Sequence, residues 1–253
     1  MLKLQHLHLR SGAIQRLDKI ALNLAGAQLV GIIGPNGAGK SSLLDVIAGV
    51  QVPDGGEVSW DGKVISQFSA KQRADYLSYL PQQDYPAWDI SVTELIAIGL
   101  GRMQGQRSQR QQWIAAIAKR LQISELLNRQ VSTLSGGELR RVMLARTFVK
   151  RSPLVLCDEP TAALDISHQL QVCEDLRGQA RAGALVLVAL HDLSLAARYC
   201  DSLVVMEQGK VVAQGEPNQV LSAPLLQRVF AIEAEWFCNA KGVGWLPTLA
   251  NTD

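Results

Sequence analysis

The 253 residues are enough to bury a full core as one large domain or two small ones. With 47% hydrophobic and 19% charged residues the composition excludes a disordered chain, and a formal net charge of +2 gives no global field for nucleic acid. Cys157, Cys173, Cys200 and Cys238 lie far apart without a C-x-x-C pair, which argues against a zinc site or a disulfide framework and suits reduced thiols.

From the N-terminus, Met1 to Arg10 alternate Leu2, Leu4, Leu7 and Leu9 with Lys, Gln and His, without the apolar core or cleavage site of a signal peptide. A short apolar run predicts a buried strand at Leu29–Ile33, followed by a helix at Lys40–Ala48. Glu57-Val58-Ser59-Trp60 alternates and meets Asp61-Gly62, a hairpin turn, so this early part reads as antiparallel. From about Tyr85 to Leu134 the pattern turns helical and polar, with a Gln/Arg run at Gln104–Gln112 that reads as a solvated face of an exposed tip. Helix candidates at Glu138–Val149, Ile166–Arg177 and Leu193–Arg198 then alternate with strand candidates at Leu154–Cys157, Leu185–Leu190 and Leu203–Met206. After Gln219 the chain is expected to trail through Pro224 into a tail carrying Trp236 and Trp245, too short for another domain. No run reaches the roughly 18 apolar residues of a membrane span, so a role in transport would require partner chains.

The strongest motif is Gly34-Pro35-Asn36-Gly37-Ala38-Gly39-Lys40-Ser41, followed by Ser42, a full P-loop between a predicted strand and a predicted helix. Glycines let backbone N–H groups curl around phosphate oxygens, and the helix start adds partial positive charge. Lys40 can reach the β- and γ-phosphates, and Ser41 can ligate Mg²⁺. Next, Leu154-Val-Leu-Cys-Asp158-Glu159 delivers two carboxylates at a strand end, placing Asp158 to hold Mg²⁺ and Glu159 to polarise an attacking water. A second helix start preceded by small residues, Leu134-Ser135-Gly136-Gly137-Glu138, can also contact phosphate.

In this order the motifs resemble those of ABC ATPases, over roughly residues 1 to 220. Ser135–Gly137 matches the family's signature motif, Gln82 its Q-loop, Ala163-Leu164-Asp165 its D-loop and His191 its switch histidine. Outside that resemblance each has a plain alternative: Gln82 a loop residue, Asp165 a helix N-cap, His191 a strand-end histidine. His6, His8 and His168 have no such context and read as surface or strand residues.

The resemblance implies an α/β P-loop NTPase (RecA-like) core with an antiparallel β-subdomain, about 1–84 and 148–220. It also implies an inserted helical subdomain at about 85–147 and a tail at 221–253. It further implies a homodimer holding ATP and Mg²⁺ between one copy's P-loop and the other's Ser135–Gly137. On this reading Lys40, Gln82, Glu159 and His191 are catalytic, Ser41, Gln82 and Asp158 hold the metal, and Asp165 lies at the nucleotide.

The implied setting is the cytoplasmic face of the inner membrane, beneath two permease subunits and a substrate-binding protein, with no nucleic acid. Two departures stand out. The position where the family often stacks an aromatic on adenine falls at Ser11, and no aromatic lies between Arg10 and Leu24. Glu138 also stands where many relatives carry Gln, a change expected to be tolerated because either side chain can point away from phosphate. Trp88-Asp89-Ile90-Ser91-Val92 and Leu100-Gly101-Arg102 are similar to ATPases of iron–siderophore, haem and vitamin B12 importers, whose membrane contact would fall on residues 83 to 105. A soluble ABC ATPase for assembly or remodelling, such as iron–sulfur cluster biogenesis, is the alternative.

Overall fold

The computed structural model describes residues 1–82, 89–101, 106–239 and 242–249. Gln83, Trp88 and Arg102, and with them much of the expected membrane contact, lie outside the described residues. The first elements are β1 (Leu2–Ser11), β2 (Ile14–Leu24), β3 (Gln28–Ile33), α1 (Lys40–Ala48), β4 (Gly55–Trp60), β5 (Lys63–Val64), α2 (Ala70–Tyr76) and β6 (Leu77–Leu80). Helices α3 (Val92–Gly99), α4 (Arg107–Arg120) and α5 (Gly136–Phe148) follow. Then come β7 (Leu154–Asp158), α6 (Ile166–Arg181), β8 (Leu185–Ala189), α7 (Leu193–Tyr199), β9 (Ser202–Glu207) and β10 (Lys210–Gly215). Short α8 (Pro217–Val220) and α9 (Ala223–Leu225) precede β11 (Ile232–Asn239) and β12 (Gly242–Leu249).

The N-terminal leucines line one face of an antiparallel sheet of order β2-β1-β4-β5, and each is at most 2% exposed. Their spacing lengthens from two to three residues between Leu4 and Leu7, which would flip the face. A bulge absorbs the extra residue: His6 has φ 48° and the pairing shifts at that point. The Asp61-Gly62 turn forms as the sequence suggests, with both residues at positive φ and Trp60 paired to Lys63.

The central sheet has the order β10-β9-β3-β8-β7-β6, parallel except for β10. Alternate residues of each strand enter two different core layers. Val30, Ile32, Leu154, Leu156 and Leu187 pack with Leu43, Leu44 and Ile47 of α1 and the leucines of β1. Leu29, Ile33, Val155, Cys157 and Val188 pack toward α5, α6 and the helical segment, with Val142, Leu176, Ile96 and Ile117. Burial on both faces is why these strands read as unbroken apolar runs, and each buried aliphatic contributes about 1.5–3 kcal/mol.

Two elements differ from expectation. Helix α6 runs on to Arg181 because Gly178 is tolerated inside it. The C-terminal tail folds into the β11–β12 hairpin, with Trp236 opposite Trp245. Among the described residues no helix is long and apolar enough to cross a membrane. Cys157, Cys173 and Cys200 are buried free thiols, and burial pushes Cys157 and Cys173 up to about 12.

Candidate nucleotide-binding site

Three parallel strands end side by side and deliver the site. Ala189 of β8 pairs with Ile32 on one side and with Asp158 on the other. The loop after β3, the acidic pair after β7 and His191 beyond β8 therefore meet at the carboxyl edge of the sheet, where open α/β sheets bind ligands.

The P-loop needs its glycines. Gly34 has φ 152° and Gly39 φ 101°, and a Cβ on them would come within 2.2 Å of the Met206 carbonyl and 2.5 Å of the Arg16 carbonyl. Helix α1 starts at Lys40 without a side-chain cap, so its first N–H groups are left for an anion. Lys40 is 5% exposed, and its Nζ donates to the carbonyls of Gly34 at 2.7 Å and Pro35 at 3.1 Å. Burial lowers its pKa, while the charges of Glu159 and Asp158 oppose that shift.

Asp158 is 1% exposed. Burial raises its carboxyl pKa, a hydrogen bond with Ser41 pulls it back, the charges of Glu159 and Asp45 raise it and that of Lys40 lowers it. Its Oδ1 is buried without a hydrogen-bond partner among the described residues. A buried carboxylate with a free oxygen beside a serine hydroxyl suits a hard divalent cation that completes its shell with phosphate and water. Glu159 follows in a left-handed turn, φ 49°, and its Oε1 meets His191 Nε2 in a short contact.

Asn36 to Ser42, Gln82, Glu159, His191 and Arg16 line a cavity of about 490 Å³. A second cavity of about 580 Å³, bounded by Asp45, Tyr79, Pro81, Arg146 and Asp158, shares Ser41 and Gln82 with it. Gly34 and Pro35 contribute carbonyls to the loop itself. Ser135, Gly136, Gly137 and Asp165 line neither cavity.

Instead, Ser135 is the exposed N-cap of α5 in a reciprocal capping box. Glu138 turns back onto its own helix start: its carboxylate accepts from the Ser135 N–H at 2.7 Å and the Ser135 hydroxyl at 2.8 Å. Those bonds hold the Glu138 carboxyl below the usual range. Asp165 caps α6, accepting from His168 N–H and Ser167 Oγ, each at 2.9 Å, and is held down to about 2 chiefly by His168. His168 is accordingly a helix residue with a partner on each ring nitrogen: Asp165 at Nδ1 (2.8 Å) and Arg141 at Nε2 (3.1 Å). The two capped helix starts adjoin, since a Cβ on Gly137 would lie 3.7 Å from the Ala163 carbonyl.

Sequence reasoning missed Arg16. Nothing local marks it; it reaches the cavity because β1 and β2 pair with Leu9 opposite Leu17. Arg16 lines the cavity, while Ile14 of the same hairpin is 57% exposed.

Fold and site together define a P-loop nucleoside triphosphatase. A profile described as ABC transporter matches residues 17–162. The chain is 40% identical over 239 residues to the hemin import ATP-binding protein HmuV of Pseudomonas entomophila (strain L48), covering 92% of this chain and 93% of that protein. It is also 40% identical over 225 residues to the HmuV of Nocardia farcinica (strain IFM 10152), covering 87% and 77%. Among solved structures, the dimeric cassette MJ0796 in a post-hydrolysis state with ADP and Pi aligns with TM-score 0.78 and 26% identity over 86% of this chain and 99% of that one. A chain of an inward-facing transporter assigned to the metal-chelate type aligns with TM-score 0.80 and 20% identity, covering 99% and 98%, and supports the fold. The chain belongs to the ABC transporter family, whose ATP-binding proteins hydrolyse ATP to drive transport.

Proposed function

We propose that this chain is the ATP-hydrolysing subunit that powers import of haem, or a related chelate such as an iron–siderophore complex or vitamin B12, through partner membrane subunits. The observation that carries the reading is 40% identity to a hemin import ATP-binding protein over 92% of the chain. Two copies work as a homodimer, each ATP lying between Gly34–Ser42 of one copy and Ser135–Gly137 of the other. That arrangement is supported by the exposure of Ser135 and Gly136 and by their lying outside the P-loop cavity of their own chain. Two permease subunits and a substrate-binding protein complete the assembly, with this chain peripheral at the cytoplasmic face.

In the reaction, the loop N–H groups and Lys40 hold the phosphates and stabilise charge on the transferring group. Glu159 orients the attacking water and takes up its proton, while His191 fixes the direction of the Glu159 carboxylate. Ser41, Gln82 and Asp158 would hold Mg²⁺, which supplies neutralisation of the β- and γ-phosphate oxygens. Asp165 stands at the boundary between the copies.

The test is uptake into proteoliposomes that contain the chain with its co-purified membrane partners. Mg-ATP is expected to drive uptake of haem in preference to an iron–siderophore complex or vitamin B12, and Lys40→Ala to abolish it. Uptake of none of the three, or uptake unaffected by Lys40→Ala, would contradict the proposal.

A further inference from the structure

Arg140 lies on α5, the helix capped by Ser135, yet its guanidinium reaches the main chain that carries Gln82, Asp158 and Glu159. One terminal nitrogen donates to the main-chain carbonyls of Pro81 at 3.2 Å and Gln82 at 3.4 Å. The other donates to the carbonyls of Asp158 and Glu159, both at 2.6 Å. Three separate stretches of chain thus converge on one rigid, charged fork: the signature helix, the end of β6 and the end of β7. Hydrogen bonds from an ionised donor are stronger than neutral ones, and a planar guanidinium fixes direction as well as distance.

The backbone at Glu159 is shaped to accept this contact. In an extended strand successive carbonyls point to opposite sides, so one nitrogen could not take both. Glu159 has φ 49°, a left-handed conformation that a non-glycine residue keeps only when its surroundings hold it. The turn brings the Asp158 and Glu159 carbonyls to the same side, toward Arg140. The same peptide carries the Glu159 side chain to His191.

We propose that Arg140 is a positioning residue for hydrolysis. It ties the Glu159 peptide and the Gln82 segment to the helix capped by Ser135. Occupation of that helix start by the second copy's nucleotide then sets the Glu159 peptide from which the carboxylate extends to His191. The inference rests on the shared-site reading above. Its signature is a split. Arg140 holds main-chain carbonyls at Pro81, Gln82, Asp158 and Glu159 and does not line the P-loop cavity among the described residues, so nucleotide binding to one copy is expected not to depend on it, whereas turnover is expected to.

The experiment uses the full chain as wild type, Arg140→Met, Arg140→Lys and Arg140→Ala. It measures Mg-ATP turnover against concentration, binding of a fluorescent ATP analogue and thermal stability. Arg140→Met keeps the aliphatic stem and loses every donor. Its kcat is expected to fall at least tenfold while the nucleotide Kd stays within twofold of wild type. Arg140→Lys, with one charged nitrogen, is expected to retain an intermediate rate, and methylguanidine to restore part of the turnover of Arg140→Ala.

A kcat for Arg140→Met within twofold of wild type overturns the proposal. So does a loss in which kcat and affinity fall together, or one that neither Lys nor methylguanidine relieves, because packing alone would then account for it. A wild-type chain that neither binds nor hydrolyses ATP overturns the ATPase reading itself, and the role of Arg140 with it. A Lys40→Ala control without binding confirms that the binding signal comes from the P-loop.

Discussion

Replacing Asp158 by Asn keeps the shape of a side chain that is 1% exposed and removes its charge. Burial raises this carboxyl above its ordinary value of 3.8, so the folded chain holds the proton more tightly than the unfolded one. The protonated group therefore favours folding below about 3.8, and that advantage is lost as pH rises through the raised folded value. At pH 7 the ionised group works against stability even with Ser41 and Lys40 beside it. Asn should relieve this by about 1 kcal/mol, the size usual when a functional site is freed of such a burden. For a chain of this length that corresponds to a rise in Tm of about 2–4 °C.

Turnover should meanwhile fall at least ~100-fold, about 2.7 kcal/mol of transition-state stabilisation, if Asp158 holds Mg²⁺ as proposed. The assay is calorimetry without nucleotide at pH 7 and pH 4, paired with Mg-ATP hydrolysis. The Tm gain should shrink toward pH 4, where more of the wild-type Asp158 is protonated and resembles Asn. A lower Tm for Asp158→Asn at pH 7 would refute the account of this carboxylate.

Arg120 of α4 bonds to Asp175 of α6 through Nε–Oδ1, and Asp175 is 1% exposed while Arg120 is 42% exposed. Arg120→Met should cost about 2–3 kcal/mol, less than a fully buried pair, and lower Tm by roughly 5–10 °C. Asp175→Asn in the same chain should recover most of that loss, and an unchanged Tm for Arg120→Met in a melting curve would show that the pair carries nothing. On the nucleotide side, an arginine face stacks either purine, so GTP should be hydrolysed within about tenfold of ATP, a gap of roughly 1.4 kcal/mol. Competition assays would decide it, and a hundredfold preference for ATP would mean that another residue reads the base.

The central strands were legible because both faces of the sheet are covered, so Leu154–Asp158 and Leu185–Ala189 carry no polar alternation to blur them. Gly34 to Gly39 were legible because their backbone cannot carry a Cβ at key points. What escaped depends on register and reach. Arg16 arrives through pairing across the β1–β2 hairpin, and Arg140 through a long side chain crossing between elements. Glu138 did have a signal, since Ser135-x-x-Glu138 is a capping box. The C-terminal hairpin follows Pro224 and short helices that read as a trailing tail.

The central claim is a hydrolysis site shared between two copies, with Glu159 acting on water. Gel filtration of Glu159→Gln with and without Mg-ATP tests it most directly, because the amide keeps the shape of the side chain but cannot take a proton. The account predicts that turnover is abolished, that ATP still binds, and that the chain shifts from monomer to an ATP-dependent dimer which persists. Wild-type turnover, or a monomer that binds ATP without dimerising, would contradict it.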